Sequence, residues 1–117
     1  MVKTKSVRDA VEETDGQRML VTRYWPRGIS KTRLSAEWVR DLAPSKELLA
    51  DWKAGRVSWD EYTMRFRDEM AAQKTTIAAL EQRAREGTIT LLCIEKEDDP
   101  HCHRHLLKEL IDCLVTD

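Results

Sequence analysis

The sequence predicts a small α/β fold with a mostly parallel sheet, formed by residues 1–117 as one domain. Two apolar runs have the length of buried strands, Met19–Val21 and Thr88–Ile94. Segments with helically spaced apolar residues lie between these runs and after the second one. Strand, helices, strand and helix in that order are typical of a parallel sheet covered by helices.

The first half of the chain predicts short elements. Val2 to Val11 is a candidate extended segment, and Asp15-Gly16 is typical of a hairpin turn. Met19–Val21, with polar neighbours on both sides, predicts a short buried strand. Ser35 to Leu42 is expected to form a short helix or turn that holds a tryptophan.

Two helices with strong start signals follow. Ser45 is a candidate cap for a helix over residues 46–54. Ser58, with Glu61 three residues later, forms a capping box that predicts a second helix. Its apolar stripe of Trp59, Tyr62, Phe66 and Met70 is expected to face the core, although the aromatic rings could also line a cleft. Residues 71–76 are expected to bend the chain before another helix that ends at Gly87.

The last strand and helix enclose the most reactive part of the sequence. Thr88–Ile94 has few polar interruptions, as expected for a strand covered on both faces. The final helix is expected to begin near Pro100, with Asp99 as its cap. All three histidines and one of the three cysteines would then lie in its first turns. The junction of a strand and a helix is where α/β folds place ligand sites.

Composition limits the class of protein. Charged residues make up 35% of the chain and no apolar run approaches the ~20 residues of a membrane span, so we expect no membrane partner. The first residues lack the apolar stretch of a secretory signal, and three cysteines do not suit a disulfide framework. We therefore expect a cytoplasmic protein. The net charge of −1 gives no general attraction to nucleic acid, but it does not exclude nucleic acid as a partner.

Cys102 is a candidate nucleophile. If Asp99 caps the helix, Cys102 is its third residue, where backbone N–H groups favour a thiolate. His103 and Arg104 add positive charge, and Glu95 is a candidate general base or orienting group. The catalytic candidates are therefore Cys102, Glu95 and His103. Four nearby carboxylates oppose this interpretation because they raise a thiol pKa and repel anions, and these are Glu95, Glu97, Asp98 and Asp99.

The same segment allows two other interpretations. Cys93 and Cys102 with a histidine offer the ligands that zinc prefers, but no second Cys-x-x-Cys pair completes a closed cage. We therefore predict no metal site, and keep a metal-dependent enzyme as an alternative. In the purely structural interpretation, Cys93 and Cys113 belong to the core and His101 and His105 to the surface.

A second cluster follows the Met19–Val21 strand. If this strand is parallel to Thr88–Ile94, both clusters lie at the carboxyl edge of one sheet, on the two sides of a crevice. Arginine suits phosphate and carboxylate groups, and a tryptophan can stack on a planar ring or simply fill the core at a turn. The residues expected to bind the ligand are Arg23, Trp25, Arg27, Lys31 and Arg104.

The motifs of this chain resemble a bacterial and archaeal family, number 488 among the domains of unknown function. The family has an Asp-Gly-x-Arg segment, a Trp-Pro-Arg-Gly segment, a tryptophan before Ala-Pro-Ser, and a Cys-x-Glu strand end before a Cys-His-Arg helix start. The corresponding residues here are Asp15 to Arg18, Trp25 to Lys31, Trp38, Ala43 to Ser45, Cys93, Glu95 and Cys102 to Arg104. Lys53 stands where the family more often has an aromatic residue.

The resemblance implies a small Rossmann-like, three-layer α/β domain and no particular activity. With the two clusters, it leads us to expect a cytosolic protein whose basic-rimmed pocket binds a small anionic ligand, phosphate-bearing or nucleotide-like. Cys102 is the candidate nucleophile of this pocket, and the sequence leaves open whether the protein is an enzyme. The alternatives are a non-catalytic binding or interaction module and a metal-dependent enzyme. The sequence indicates neither a cofactor nor an oligomeric state.

Overall fold

A four-stranded sheet forms the centre of the structure, a computed structural model that describes residues 1–95 and 99–116, with side chains as far as Leu114. All strands are parallel, in the order β1-β4-β2-β3. The strands are β1 Val2–Ser6, β2 Gln17–Leu20, β3 Glu37–Trp38 and β4 Ile89–Cys93. This confirms the predicted α/β class and parallel pairing, whereas the Rossmann-like part of the expectation stays a prediction.

Within the part of the chain that the structure describes, five α-helices connect and follow these strands, together with short 3-10 turns at Glu13–Asp15, Arg40–Leu42 and Ala71–Gln73. The helices are α1 Lys31–Leu34, α2 Lys46–Lys53, α3 Trp59–Met70, α4 Lys74–Glu86 and α5 His103–Thr116. None of them, as far as the chain is described, has both the length and the apolar character that a membrane crossing requires.

The helix starts follow the capping signals. Ser45 Oγ accepts a hydrogen bond from the backbone N–H of Leu48, and Ser58 Oγ accepts one from that of Glu61. Each bond satisfies a backbone donor that has no partner within its helix. The predicted starts of α2 and α3 are thereby confirmed, as is the interruption at residues 71–73.

Three local predictions are wrong. Asp15-Gly16 does not form a hairpin, because β1 and β2 both pair in parallel with β4, which lies between them. Residues 35–42 contain strand β3 as well as a 3-10 turn, since Glu37 and Trp38 pair with the end of β2. The last helix begins at His103 rather than near Pro100, and Asp99 Oδ1 accepts from the backbone N–H of His101 in a turn before it.

The sheet is covered unequally on its two faces. The larger apolar cluster joins Met19, Ile89 and Leu91 to helices α3, α4 and α5. On the other face, Leu20 and Leu92 pack with Leu34 of the one-turn helix α1 and with neighbouring loop residues. Strand β4 is buried along its whole length. Because β2 and β4 pair in parallel, the loops that follow them leave the same edge of the sheet.

Candidate functional site

The loops that follow β2 and β4 line one cleft. The two strands are adjacent and parallel, and the backbone N–H of Val21 donates to the carbonyl of Leu92 at 3.1 Å. The chain then diverges into the two loops, as expected at the carboxyl edge of a parallel sheet. The cleft has a volume of about 70 Å³. Its walls include Thr22, Arg23 and Tyr24 from the first loop and Cys93, Ile94, Glu95, His101, Cys102 and His103 from the second.

Two thiols and a carboxylate form the acid–thiol group, defined here as Cys93, Glu95 and Cys102. The thiol of Cys93 donates to Glu95 Oε2 at 2.7 Å, and the thiol of Cys102 donates to the same oxygen at 3.4 Å. Both cysteines are buried and Glu95 is partly buried. Both thiols therefore have a proton acceptor in contact, although they lie nine residues apart in the chain.

His103 connects this group to the first loop. Its Nε2 lies 2.5 Å from the carbonyl oxygen of Val21, and its Nδ1 lies 4.0 Å from Sγ of Cys102. Since a carbonyl oxygen only accepts, Nε2 must carry a hydrogen. In the neutral imidazole, Nδ1 then has the lone pair and faces the thiol. The ring is buried, and its centroid lies 5.6 Å from that of the Phe66 ring.

Burial and mutual contact set the protonation states here. The neighbouring thiol of Cys93, and then burial, raise the pKa of the Cys102 thiol far above its ordinary value, and His103 opposes this shift only in part. Burial acts to raise the pKa of Glu95, but the hydrogen bonds from Cys93 and Cys102 outweigh it and lower that pKa. At neutral pH Cys102 is therefore a thiol beside an ionised Glu95 carboxylate.

His103 is shifted in the direction that favours its cation. Burial lowers the pKa of this imidazole, but contact with Cys102, the carbonyl of Val21 and the charge of Glu95 together raise it above the ordinary value. Glu95 Oε2 lies 3.4 Å from Sγ of Cys102, whereas Nδ1 of His103 lies 4.0 Å from it. Glu95 is therefore the candidate proton acceptor for Cys102, and a cationic His103 would stabilise negative charge on the sulfur.

An aromatic wall, defined as Trp52, Tyr62 and His101, forms another side of the cleft. Trp59 stands behind it, with ring centroids 5.4 Å from Trp52, 4.9 Å from Tyr62 and 4.8 Å from His101. Burial raises the pKa of the Tyr62 hydroxyl, so this side chain is a neutral hydroxyl at physiological pH. Aromatic rings thus line the same cleft as the polar residues of the acid–thiol group.

Positive charge reaches the cleft from two elements. Arg23, in the loop after β2, donates through Nε to the carbonyl of Pro44 at 2.7 Å, and this bond fixes the guanidinium at the cleft wall. Lys53, at the end of α2, is exposed and also lines the cleft. These two cations could hold an anionic group of a ligand.

Comparison with known proteins identifies the family. A model of the active DUF488-N3 subclade matches residues 2–113. The chain belongs to the DUF488 family. It is 35% identical over 92 residues to the uncharacterised protein YeaO of Escherichia coli, a match that covers 78% of this chain and 80% of YeaO. It is 37% identical over 70 residues to the uncharacterised protein Rv3073c of Mycobacterium tuberculosis, covering 59% of each chain. No solved structure matches.

The DUF488 membership confirms the resemblance drawn from the motifs, and the structure shows where each of those motifs lies. The fold places Arg23 in the same cleft as the three catalytic candidates, Cys102, Glu95 and His103. Of the four carboxylates expected to oppose a thiolate, Glu97 and Asp98 lie outside the described residues, and Glu95 is in direct contact with Cys102. Asp99 faces its own turn and accepts from the backbone of His101.

The other predicted ligand-binding residues lie elsewhere in this DUF488 protein. Trp25 packs edge-on against Trp38, 5.5 Å between centroids, beside the smaller apolar cluster on the other face of the sheet. Arg27 and Lys31 are exposed and do not contribute to the described cleft walls. Arg104 is fully buried and donates to the carbonyls of Lys5 and Glu95. Its contacts join the ends of β1 and β4, and hold the backbone of Glu95.

The sequence predicted Tyr62 in the core and, in the structural interpretation, His101 at the surface; Tyr62 is buried and His101 is exposed, and both also line the cleft, together with Trp52, for which the sequence made no prediction. Trp52 comes from the end of α2 and Tyr62 from the first turns of α3, so only the packing of these helices brings them to the cleft. The helical spacing of Trp59, Tyr62 and Phe66 was the available signal. That spacing indicates a buried stripe, but it does not indicate which end of the stripe opens onto a cavity.

Proposed function

We propose that this cleft binds a small anionic ligand that carries a planar ring, and that Cys102 reacts with it as a nucleophile. The observation that carries the proposal is that Arg23, after β2, and Cys102, before α5, line the same cleft. Arg23 and Lys53 would bind the anionic group, and the aromatic wall would pack on the ring. A nucleotide-like compound has this combination of features.

The chemistry follows from the acid–thiol group. Sγ of Cys102 donates an electron pair to an electrophilic atom of the ligand, and the thiol proton passes to Glu95, which lies 3.4 Å away. The leaving group departs with the electrons of the broken bond and takes the proton from Glu95. His103, held by the carbonyl of Val21, stabilises the negative charge that develops at Sγ. Because the pKa of Cys102 is raised, the residue is a thiol before the reaction, and Glu95 has to accept its proton as the sulfur attacks.

A thermal-shift screen with inorganic phosphate, sugar phosphates and nucleoside monophosphates tests the binding part. We expect at least one compound to raise the melting temperature with a saturable dose dependence. Arg23→Gln should weaken its binding by about 10- to 100-fold, the range of a hydrogen bond between charged groups. Arg27→Gln is the matched control, because Arg27 is an exposed arginine of the same loop outside the cleft walls. No shift with any of these anions, or equal losses in both variants, would remove the proposal.

The cysteines support our expectation of a reducing compartment such as the cytosol. All three, which lie within the described residues, are thiols rather than halves of a disulfide. Cys93 and Cys102 are close enough to share one carboxylate oxygen, so an oxidising compartment would favour their pairing. Cytosolic location therefore belongs to the proposal together with the thiol chemistry.

A further inference from the structure

Three side chains at the buried side of the cleft have the arrangement of metal ligands. The sulfur atoms of Cys93 and Cys102 and a ring nitrogen of His103 all lie within 4.8 Å of one another. All three residues are buried, and they come from the end of β4 and the start of α5. Two thiolates and one imidazole are a ligand set that zinc binds well, and three protein ligands leave one position for water or a small molecule.

The distances are close to those that zinc requires. With Zn–S of about 2.3 Å and Zn–N of about 2.0–2.1 Å, neighbouring ligand atoms of a tetrahedral site lie roughly 3.5–3.8 Å apart. Sγ of Cys102 and Nδ1 of His103 are already 4.0 Å apart. The ligand atoms of Cys102 and His103 are therefore already close to the separation that one tetrahedral ion requires.

The outer contacts also suit a metal. A histidine that binds zinc through one nitrogen usually donates the other N–H to a carbonyl or a carboxylate. Here Nε2 of His103 is directed at the carbonyl of Val21, which leaves Nδ1 for the ion. Glu95 touches both thiols and can accept the protons that they release when a metal binds.

We propose that Cys93, Cys102 and His103 form a zinc site, and that zinc bound there withholds Cys102 from nucleophilic attack. Zinc binding itself does not depend on the proposed function, whereas its effect on reactivity rests on Cys102 being the nucleophile. The fourth coordination position would open toward the cleft. The metal-free protein is then the thiol-reactive form, and the zinc-bound form is protected.

Metal titration of the purified, reduced and metal-free protein tests the site. Cobalt(II) should bind in one equivalent and produce the visible and near-ultraviolet bands of tetrahedral thiolate coordination, and zinc should displace it. Cys93→Ser should lower zinc affinity by more than the roughly 10- to 100-fold that loss of an outer contact costs. Cys113→Ser, which changes an exposed cysteine outside the cleft walls, should bind as the unmodified protein does. Absence of these bands in folded protein, or unchanged affinity in Cys93→Ser, would overturn the site.

Alkylation separates this inference from the proposed function. Saturating zinc should slow the reaction of Cys102 with iodoacetamide, followed by mass spectrometry, by at least about tenfold, and this protection should be lost in Cys93→Ser. Melting temperatures of the variants show whether they are folded. If cobalt produces the thiolate bands but no phosphate compound shifts the melting temperature, the zinc site is supported and the proposed ligand function fails. An equal alkylation rate with and without saturating zinc would overturn the protective role.

Discussion

Nε2 of His103, in the first turn of α5, lies within hydrogen-bond distance of the carbonyl oxygen of Val21, the residue that follows β2. The two residues are 82 positions apart in the chain. Their contact joins the helix that follows one loop of the cleft to the strand that precedes the other. It fixes the histidine tautomer and also holds Cys102 beside the first loop, so the geometry of the site depends on it.

The thiol of Cys102 should react slowly at neutral pH. Because Cys93 and burial raise its pKa, the thiolate fraction is small near pH 7 and grows only in the alkaline range. Iodoacetamide labelling between about pH 6 and pH 10, read by mass spectrometry of peptides, should show Cys113 modified first and Cys102 later. Cys93→Ser removes the first cause of the shift and should accelerate labelling of Cys102. Rapid labelling of Cys102 at pH 6 would contradict the protonation state described above.

A buried ion-pair cluster should dominate the acid sensitivity of the fold. Asp15 is 1% exposed and accepts from Arg18 at 2.5 Å and from Lys5 at 3.0 Å. Asp15→Asn removes the carboxylate that pairs with the buried Arg18, while Lys5 keeps Glu12 at 3.0 Å, and should lower the free energy of unfolding by about 3–5 kcal/mol in urea denaturation. Glu109→Gln, in an exposed pair with Arg67, should cost less than about 1 kcal/mol.

The same cluster predicts the direction of the pH dependence. Burial acts to raise the pKa of Asp15, but its hydrogen bonds and the charges of Lys5 and Arg18 lower it below the unfolded value of about 3.9. Stabilisation by Asp15 is therefore complete above about pH 4 and is lost as pH falls through the lower, folded-state pKa. The unfolding free energy of Asp15→Asn should decline less than that of the unmodified protein between pH 5 and pH 2. Parallel curves would refute the assignment.

Gly16 should not tolerate a side chain. Its φ is +64°, and a Cβ there would lie 2.1 Å from the carbonyl oxygen of Thr88, which also accepts the backbone N–H of Gln17. Gly55 has a similar φ of +71° but open space around it. Gly16→Ala should therefore destabilise the protein by about 1–3 kcal/mol more than Gly55→Ala, the cost of an overpacked position. Equal melting temperatures for the two variants would show that only the shared backbone conformation matters.

The aromatic wall should discriminate ligands with rings from ligands without them. Stacking of a ring on an aromatic side chain is worth about 1–3 kcal/mol per base. Trp52→Leu should thus weaken binding of a nucleoside monophosphate by roughly 5- to 150-fold, and should change binding of inorganic phosphate little, when both are followed by calorimetry. Equal losses for the two ligands would indicate that Trp52 only supports the fold.

Parts of the fold that depend on local signals were predictable from the sequence. The caps Ser45 and Ser58 and the apolar run of β4 placed three elements, because capping and strand burial leave direct marks in the residues. Strand β3 was missed because its two residues carry no alternation, and its pairing with β2 depends on tertiary structure. The start of α5 was misplaced because Asp99 caps a turn and not the helix.

The candidate site shows the same limit. The order of elements indicated that β2 and β4 pair in parallel. That pairing places the loop after β2 and the loop after β4 at one edge of the sheet. Which side chain of each cluster enters the cleft was not predictable. Arg23 and Arg27 differ by four positions, yet only Arg23 is held at the cleft wall, by the carbonyl of Pro44 from a distant segment. Similarly, Arg104 follows His103 in sequence but is enclosed between backbone carbonyls.

Ligand protection of Cys102 tests most directly whether the two loops form one site. The measurement is the rate of Cys102 alkylation by iodoacetamide at alkaline pH, with and without the phosphate compound that gives the largest thermal shift. We predict that the compound slows alkylation in the unmodified protein and in Arg27→Gln, and fails to do so at the same concentration in Arg23→Gln. A compound whose binding requires Arg23 but leaves the alkylation rate of Cys102 unchanged would contradict the shared site.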